Sequence, residues 1–72
     1  MLIGKLDVRT RQKILVTIRE INKIRMIDVR VYQNSEDGEM VATPAGVSLS
    51  PDQVEQVIEL LKEAKRKAAE EQ

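Results

Sequence analysis

The segment spanning residues 23–33, KIRMIDVRVYQ, constrains this chain more than any other. Its β-branched residues Ile24, Ile27, Val29 and Val31 mark it as a β-strand. Side chains alternate along a strand, so Ile27, Val29 and Val31 share one face, while Met26, Asp28, Arg30 and Tyr32 share the other. The first face suits a core. The second carries an acid, a base and the chain's only aromatic residue. A fold built around this strand has one face to bury and one face to use.

The flanking segments follow the same logic. Residues 13–21 (KILVTIREI) predict a second strand, with Ile14, Val16 and Ile18 on one face. Asn22-Lys23 is the predicted tight turn, because Asn tolerates the left-handed backbone. Residues 2–9 predict a further strand, separated from the hairpin by a polar break at 10–12. After residue 33, Asn34 to Gly38 predicts a turn around Asp37-Gly38. A short strand is expected at 39–42, broken by Thr43-Pro44-Ala45-Gly46 and resumed at 47–49, since Pro cannot donate to a ladder.

Ser50-Pro51-Asp52-Gln53 then supplies a helix start: a Ser cap, Pro at the first helical position, an acid at the positive end and Gln to close a capping box. Val54, Val57, Ile58, Leu61, Ala64 and Ala68 recur at helical spacing, and Leu60 widens the stripe. Glu63 and Lys67 are placed to pair one turn apart. The predicted class is α+β: one domain over residues 1–72, a four-stranded antiparallel sheet within 2–49, and one C-terminal helix over 51–69.

Size makes this fold marginal alone. A chain of 72 residues buries only about 60% of its unfolded surface. There is no Cys to form a disulfide, and with no His the usual zinc sites are excluded. Self-association is the remaining common solution, so a homodimer is predicted, paired through Val54, Val57, Ile58, Leu61 and Ala64. No signal-peptide pattern and no stretch near 20 apolar residues occur. The expected location is intracellular: cytoplasm or nucleoid, or the nucleus of a eukaryote.

Twelve basic residues balance twelve acidic ones, but unevenly. Residues 1–33 carry eight bases against three acids, and the rest four bases against nine acids. Such asymmetry marks either a polyanion-binding face or solvated strand edges guarded by Lys and Arg. Catalysis has little support. Without His or Cys, and with no phosphate-binding glycine motif, no catalytic constellation exists. No enzyme activity, cofactor or metal is predicted. Asp28 is best explained by a cross-strand ion pair with Arg19 or Arg30.

A binding face has more support. Lys13, Arg19, Arg30 and Tyr32 are predicted on the sheet face away from the core, with Lys23 and Arg25 at or near the turn. Sheets that bind single strands combine cations for phosphates with aromatics for bases. The cations are present; Tyr32 is the single aromatic.

From residue 13 to residue 58 the chain resembles the positive cofactor four family of transcriptional coactivators. The pieces are VTIRE, MIDVRVY, EDGEM, GVSLS and the PDQ helix start, in order and nearly without gaps; IGK near residue 4 echoes the family as well. The resemblance implies a twisted four-stranded antiparallel sheet and a helix. It also implies a helix-paired homodimer and a sheet surface that binds single-stranded DNA with little sequence preference. RNA and the transcription machinery are further partners to consider. Arg19 and Arg30 match the family's arginines on strands two and three, and Tyr32 matches its tyrosine. Where the family has an aromatic after strand two this chain has Ile21, and Gln33 replaces a frequent tryptophan. The loop lysines are replaced within Val41-Ala42-Thr43-Pro44-Ala45-Gly46, and Val54 stands for a helix-start tryptophan. Lys23 and Arg25 lie one position from family lysines. The alternative is a dimeric protein-interaction module that kept the fold and lost DNA binding, with Ile21, Ile24, Val41 and Ala45 as its apolar contacts.

Overall fold

The computed structural model describes residues 1–70. Four strands, β1 (Leu2–Arg9), β2 (Gln12–Ile21), β3 (Ile24–Asn34) and β4 (Met40–Leu49), precede one helix, α1 (Pro51–Glu70). The strands form one antiparallel sheet in the order β1-β2-β3-β4. The helix runs one residue past the expected end at 69.

The central hairpin sets the register. Asn22 and Lys23 take φ of 52° and 66°, the pair of left-handed residues a two-residue type I′ turn requires. Ile21 therefore faces Ile24, and every later pair follows to Gln12 opposite Gln33. Ile14 meets Val31, Val16 meets Val29 and Ile18 meets Ile27, which joins the apolar sets of both strands on one face. Gly4 and Leu6 of β1 extend that face, and so do Val47 and Leu49 of β4. The β3–β4 connection turns at Gly38, whose φ of 88° suits glycine.

Strand β4 corrects one expectation. Residues 43–46 do not interrupt it; the strand is continuous from Met40 to Leu49. Pro44 is tolerated because β4 is an edge strand and the register shifts between Arg30 and Tyr32. Thr43 secures that irregularity. Its hydroxyl donates to the Val31 carbonyl at 2.8 Å and accepts from the Ala45 amide at 3.2 Å. Gly46 is needed beside it, since a Cβ there would lie 2.7 Å from the Val29 carbonyl oxygen and 2.8 Å from Arg30 Cα.

At the helix start, the Gln53 amide donates to Ser50 Oγ at 3.2 Å, and the Ser50 amide donates to Gln53 Oε1 at 3.0 Å. The capping box is closed as predicted. Farther along, Glu63 pairs with Arg66 rather than Lys67, and Arg66 also reaches Glu70 at 2.8 Å.

The helix does not cover the sheet of its own chain. It touches only β3 and β4. Among the described residues no apolar side chain is fully buried. The radius of gyration is 14.4 Å, against about 11 Å for a compact chain of this length. Leu60 and Leu61 are 69% and 63% exposed, and Ile58 is 40% exposed. A single helix projecting from one end of a sheet leaves both apolar surfaces without a lid.

Candidate nucleic-acid interface

The face opposite the apolar side is built by the same register. Lys13 stands opposite Tyr32, Leu15 opposite Arg30, Thr17 opposite Asp28 and Arg19 opposite Met26. Strand β4 adds Ala42 beside Tyr32, Gly46 beside Arg30 and Ser48 beside Asp28. On the other flank, Lys5 lies beside Leu15 and Asp7 beside Lys13. Arg19, Arg30, Lys13 and Tyr32 thus share one surface, and the helix does not lie across it.

The centre of this face is a polar lock. Asp28, at 1% exposure, is the one fully buried side chain among the described residues. Arg30 donates to it through Nε and Nη2, each at 3.1 Å, a bidentate pair. Ser48 Oγ donates to the same carboxylate at 2.8 Å, and Arg30 Nη1 donates to the Thr43 carbonyl at 3.0 Å. Among the described residues no buried side-chain polar atom lacks a partner. The Arg30 hydrogen bonds hold the Asp28 carboxyl below the usual carboxylate range, against the opposing effect of burial. The pair runs along β3, from residue 28 to residue 30, not across strands as expected from the sequence.

Other predicted site residues are placed differently. Lys13 makes a looser pair with Asp7 at 3.6 Å, with Asp7 82% exposed. Arg19 is exposed, and among the described residues no carboxylate lies within ion-pair distance of it. Lys23 occupies the turn itself. Arg25 does not join the others. The two-residue turn sets it opposite Glu20, on the side of the sheet that carries Ile18 and Ile27. Sequence reasoning placed it by nearness to the turn, where counting the pairs outward from Ile21 and Ile24 assigns it to the other face.

One cation was missed. Lys5 is exposed on the same face as Arg19 and Lys13, also without a carboxylate partner among the described residues. The alternation of Lys5 and Asp7 against Gly4 and Leu6 was the signal that could have found it. At the β1–β2 end, Arg9, Lys13, Asp7 and Asn34 line a shallow hollow of about 430 Å³. Of the predicted dimer contacts, Val54 and Val57 are partly covered, while Ile58, Leu61 and Ala64 are exposed. No helix among the described residues is long and apolar enough to cross a membrane.

Comparisons with known proteins place the chain by family and fold. Residues 8–60 match the family model for Transcriptional Coactivator p15 (PC4). Among solved structures, a PC4 homolog from Burkholderia pseudomallei in an orthorhombic crystal form superposes with a TM-score of 0.86 at 32% identity, covering 92% of this chain and 89% of that one. The tetragonal form of the same homolog gives 0.85 at 31% identity, with 90% and 96% covered. No curated protein matches. A family match over most of the chain, with a like fold along nearly all of it, assigns this chain to the PC4 family of transcriptional coactivators.

Proposed function

We propose that the chain binds single-stranded nucleic acid, with little sequence preference, on the polar face of its sheet, and does so as a homodimer in a coactivator-like role. The observation that carries this is the convergence of Lys13, Arg19, Arg30 and Tyr32 on one face that the helix leaves open. Cations there attract phosphates and the aromatic ring receives a base. Phosphate attraction and base stacking need only such groups held on an open face, and binding is the role proposed for it.

The homodimer rests on the other face. An apolar sheet surface and the exposed Ile58, Leu61 and Ala64 would be covered together by a second copy of the helix. A dimer places two polar faces in one particle and raises avidity for a long strand.

A second reading has its own observation. Ile21 and Ile24, 43% and 58% exposed, sit on the polar-face end of the hairpin next to Arg19 and Met26. Such a patch suits a protein partner. Fluorescence anisotropy with single- and double-stranded oligonucleotides at two salt concentrations separates the two. The nucleic-acid reading expects single-strand preference and affinity that falls steeply with salt; no binding to either at low salt would overturn it in favour of the protein module.

A further inference from the structure

The polar face is divided in charge. On β1 and β2 it presents Lys5, Lys13 and Arg19 against the single acid Asp7. The Asp7–Lys13 pair is solvent-exposed, which makes it weak and exchangeable for a phosphate. On β3 and β4 the only charges are Arg30 and Asp28, which cancel in a bidentate pair. Affinity from counterion release scales with the unmatched cations that meet phosphates. The β1–β2 half supplies these, and the β3–β4 half does not.

The β3–β4 half offers something else. Guanidinium N–H groups point in the plane of the group, so acceptors on Asp28 and Thr43 fix that plane between two strands. The side chain keeps 20% exposure. Bases stack on guanidinium planes as well as on aromatic rings. Tyr32 lies two residues along the same face. Opposite Arg30 stands Gly46, where the Val29 carbonyl and Arg30 exclude any Cβ, and opposite Tyr32 stands Ala42. Neither raises a side chain that would crowd a flat ring.

We propose that a bound single strand lies along the strands with a fixed sidedness: phosphates over β1 and β2, held by Lys5, Lys13 and Arg19, and bases over β3 and β4, received by Tyr32 and the clamped Arg30 guanidinium. This rests on the nucleic-acid reading above and adds to it. It gives Arg30 a stacking role, with Asp28 as its positioning residue, and brings Lys5 into the interface. From Lys13 to Arg19 the cationic strip runs about 20 Å, at roughly 3.4 Å per residue.

The test titrates the full chain with a labelled oligothymidylate and with an oligonucleotide of the same length made of abasic units, across a salt series. The unaltered protein binds oligothymidylate more tightly, with the same salt slope for both. Lys5→Ala and Arg19→Ala each reduce the slope by about 0.7 and weaken both ligands alike. Arg30→Lys, which keeps the charge, and Tyr32→Leu leave the slope unchanged and cut the preference for bases by about five- to 150-fold. The neutral double variant Asp28→Asn with Arg30→Gln also keeps the slope. Its circular dichroism melt, with that of Arg30→Lys, establishes that folding is retained. Lys5→Ala lies on an exposed edge and carries the test independently of the lock.

A lowered slope in the Asp28→Asn, Arg30→Gln variant would overturn the sidedness, because Arg30 would then be neutralising a phosphate. An unchanged slope in Lys5→Ala, or an unaltered base preference in Arg30→Lys, would overturn it as well. These outcomes leave the binding activity standing. Failure of both oligonucleotides to bind the unaltered protein would instead remove the activity itself.

Discussion

The two faces of the sheet are finished to different degrees. On the polar face, one chain completes its own chemistry: Asp28 is buried, doubly bonded by Arg30 and bonded again by Ser48. On the apolar face, Ile14, Val16, Val29 and Val31 line up correctly, yet no apolar side chain reaches full burial. Polar satisfaction is local, because hydrogen bonds close within β3 and between it and its neighbour β4. Apolar burial is not, because a single-layer sheet needs a second layer. The face read as the working surface is thus hydrogen-bonded within the chain, whereas the apolar face has no second layer over it among the described residues. Substitutions on each face separate these two dependencies or show that they are one.

The largest effect is expected on the apolar side. Leu61→Asp puts a carboxylate into the proposed helix pairing, where its desolvation would cost roughly 3 kcal/mol or more per copy. Sedimentation equilibrium should show loss of the dimer, and thermal unfolding should lose its cooperative transition or move far down in temperature. If Leu61→Asp remains dimeric and melts as the unaltered chain does, the helix is not the pairing surface. A stable folded monomer would break the comparison more deeply, since the apolar face would then need no partner.

The polar lock comes next. Asp28→Ala leaves the guanidinium of Arg30, whose side chain is only 20% exposed, without its counter-ion. Removal of one partner strands the other half-desolvated charge, so the melting temperature should fall well beyond what loss of an exposed pair produces. The same contact has a pH signature. The Asp28 carboxyl is depressed by Arg30 in the folded chain, so the unfolded chain, with a value of about 3.9, binds its proton first as pH falls. The stability it contributes is present above that value and is lost as pH falls through the lower folded value. Urea midpoints at a series of pH values should drop below about pH 4, and the drop should shrink in Asp28→Asn. An unchanged acid limb would place the lock outside the energetics of folding.

Much of this division was legible in the residues. Alternation in residues 13–33 separated the faces, and the Ser50 to Gln53 box located the helix start, because both signals are local and periodic. What escaped depended on register or on the third dimension. Arg25 was assigned by its distance from the turn, while its face is decided by the pair count from Ile21 and Ile24. Pro44 suggested a break, although a missing amide does no harm on an outer strand at a bulge. Of the two partners expected for Asp28, Arg30 is the one it has, but the pair runs two residues along β3 rather than across strands. The helix leaves β4 without covering the sheet, and its direction of departure has no local code.

The smallest expected effect sharpens the contrast within the polar face. Asp7 forms the other acid–base pair there, with Lys13 at 3.6 Å, but it is 82% exposed. Two pairs on one surface therefore differ chiefly in burial. Asp7→Asn should leave the melting temperature nearly unchanged, because exposed pairs contribute at most about 1 kcal/mol and often nothing. Its consequence belongs to binding instead. Removal of the one acid that β1 and β2 present on the polar face frees Lys13 for a phosphate, so affinity for a single strand should rise and the salt slope should steepen, by up to about 0.7. The same substitution at Asp28 should do the reverse, weakening the fold and leaving Arg30 poorly held. Measured side by side, the two variants ask whether an ion pair on this face serves the sheet or waits for a ligand. Equal melting losses would mean that burial does not distinguish them, and the separation of a locked half from an open half would fall.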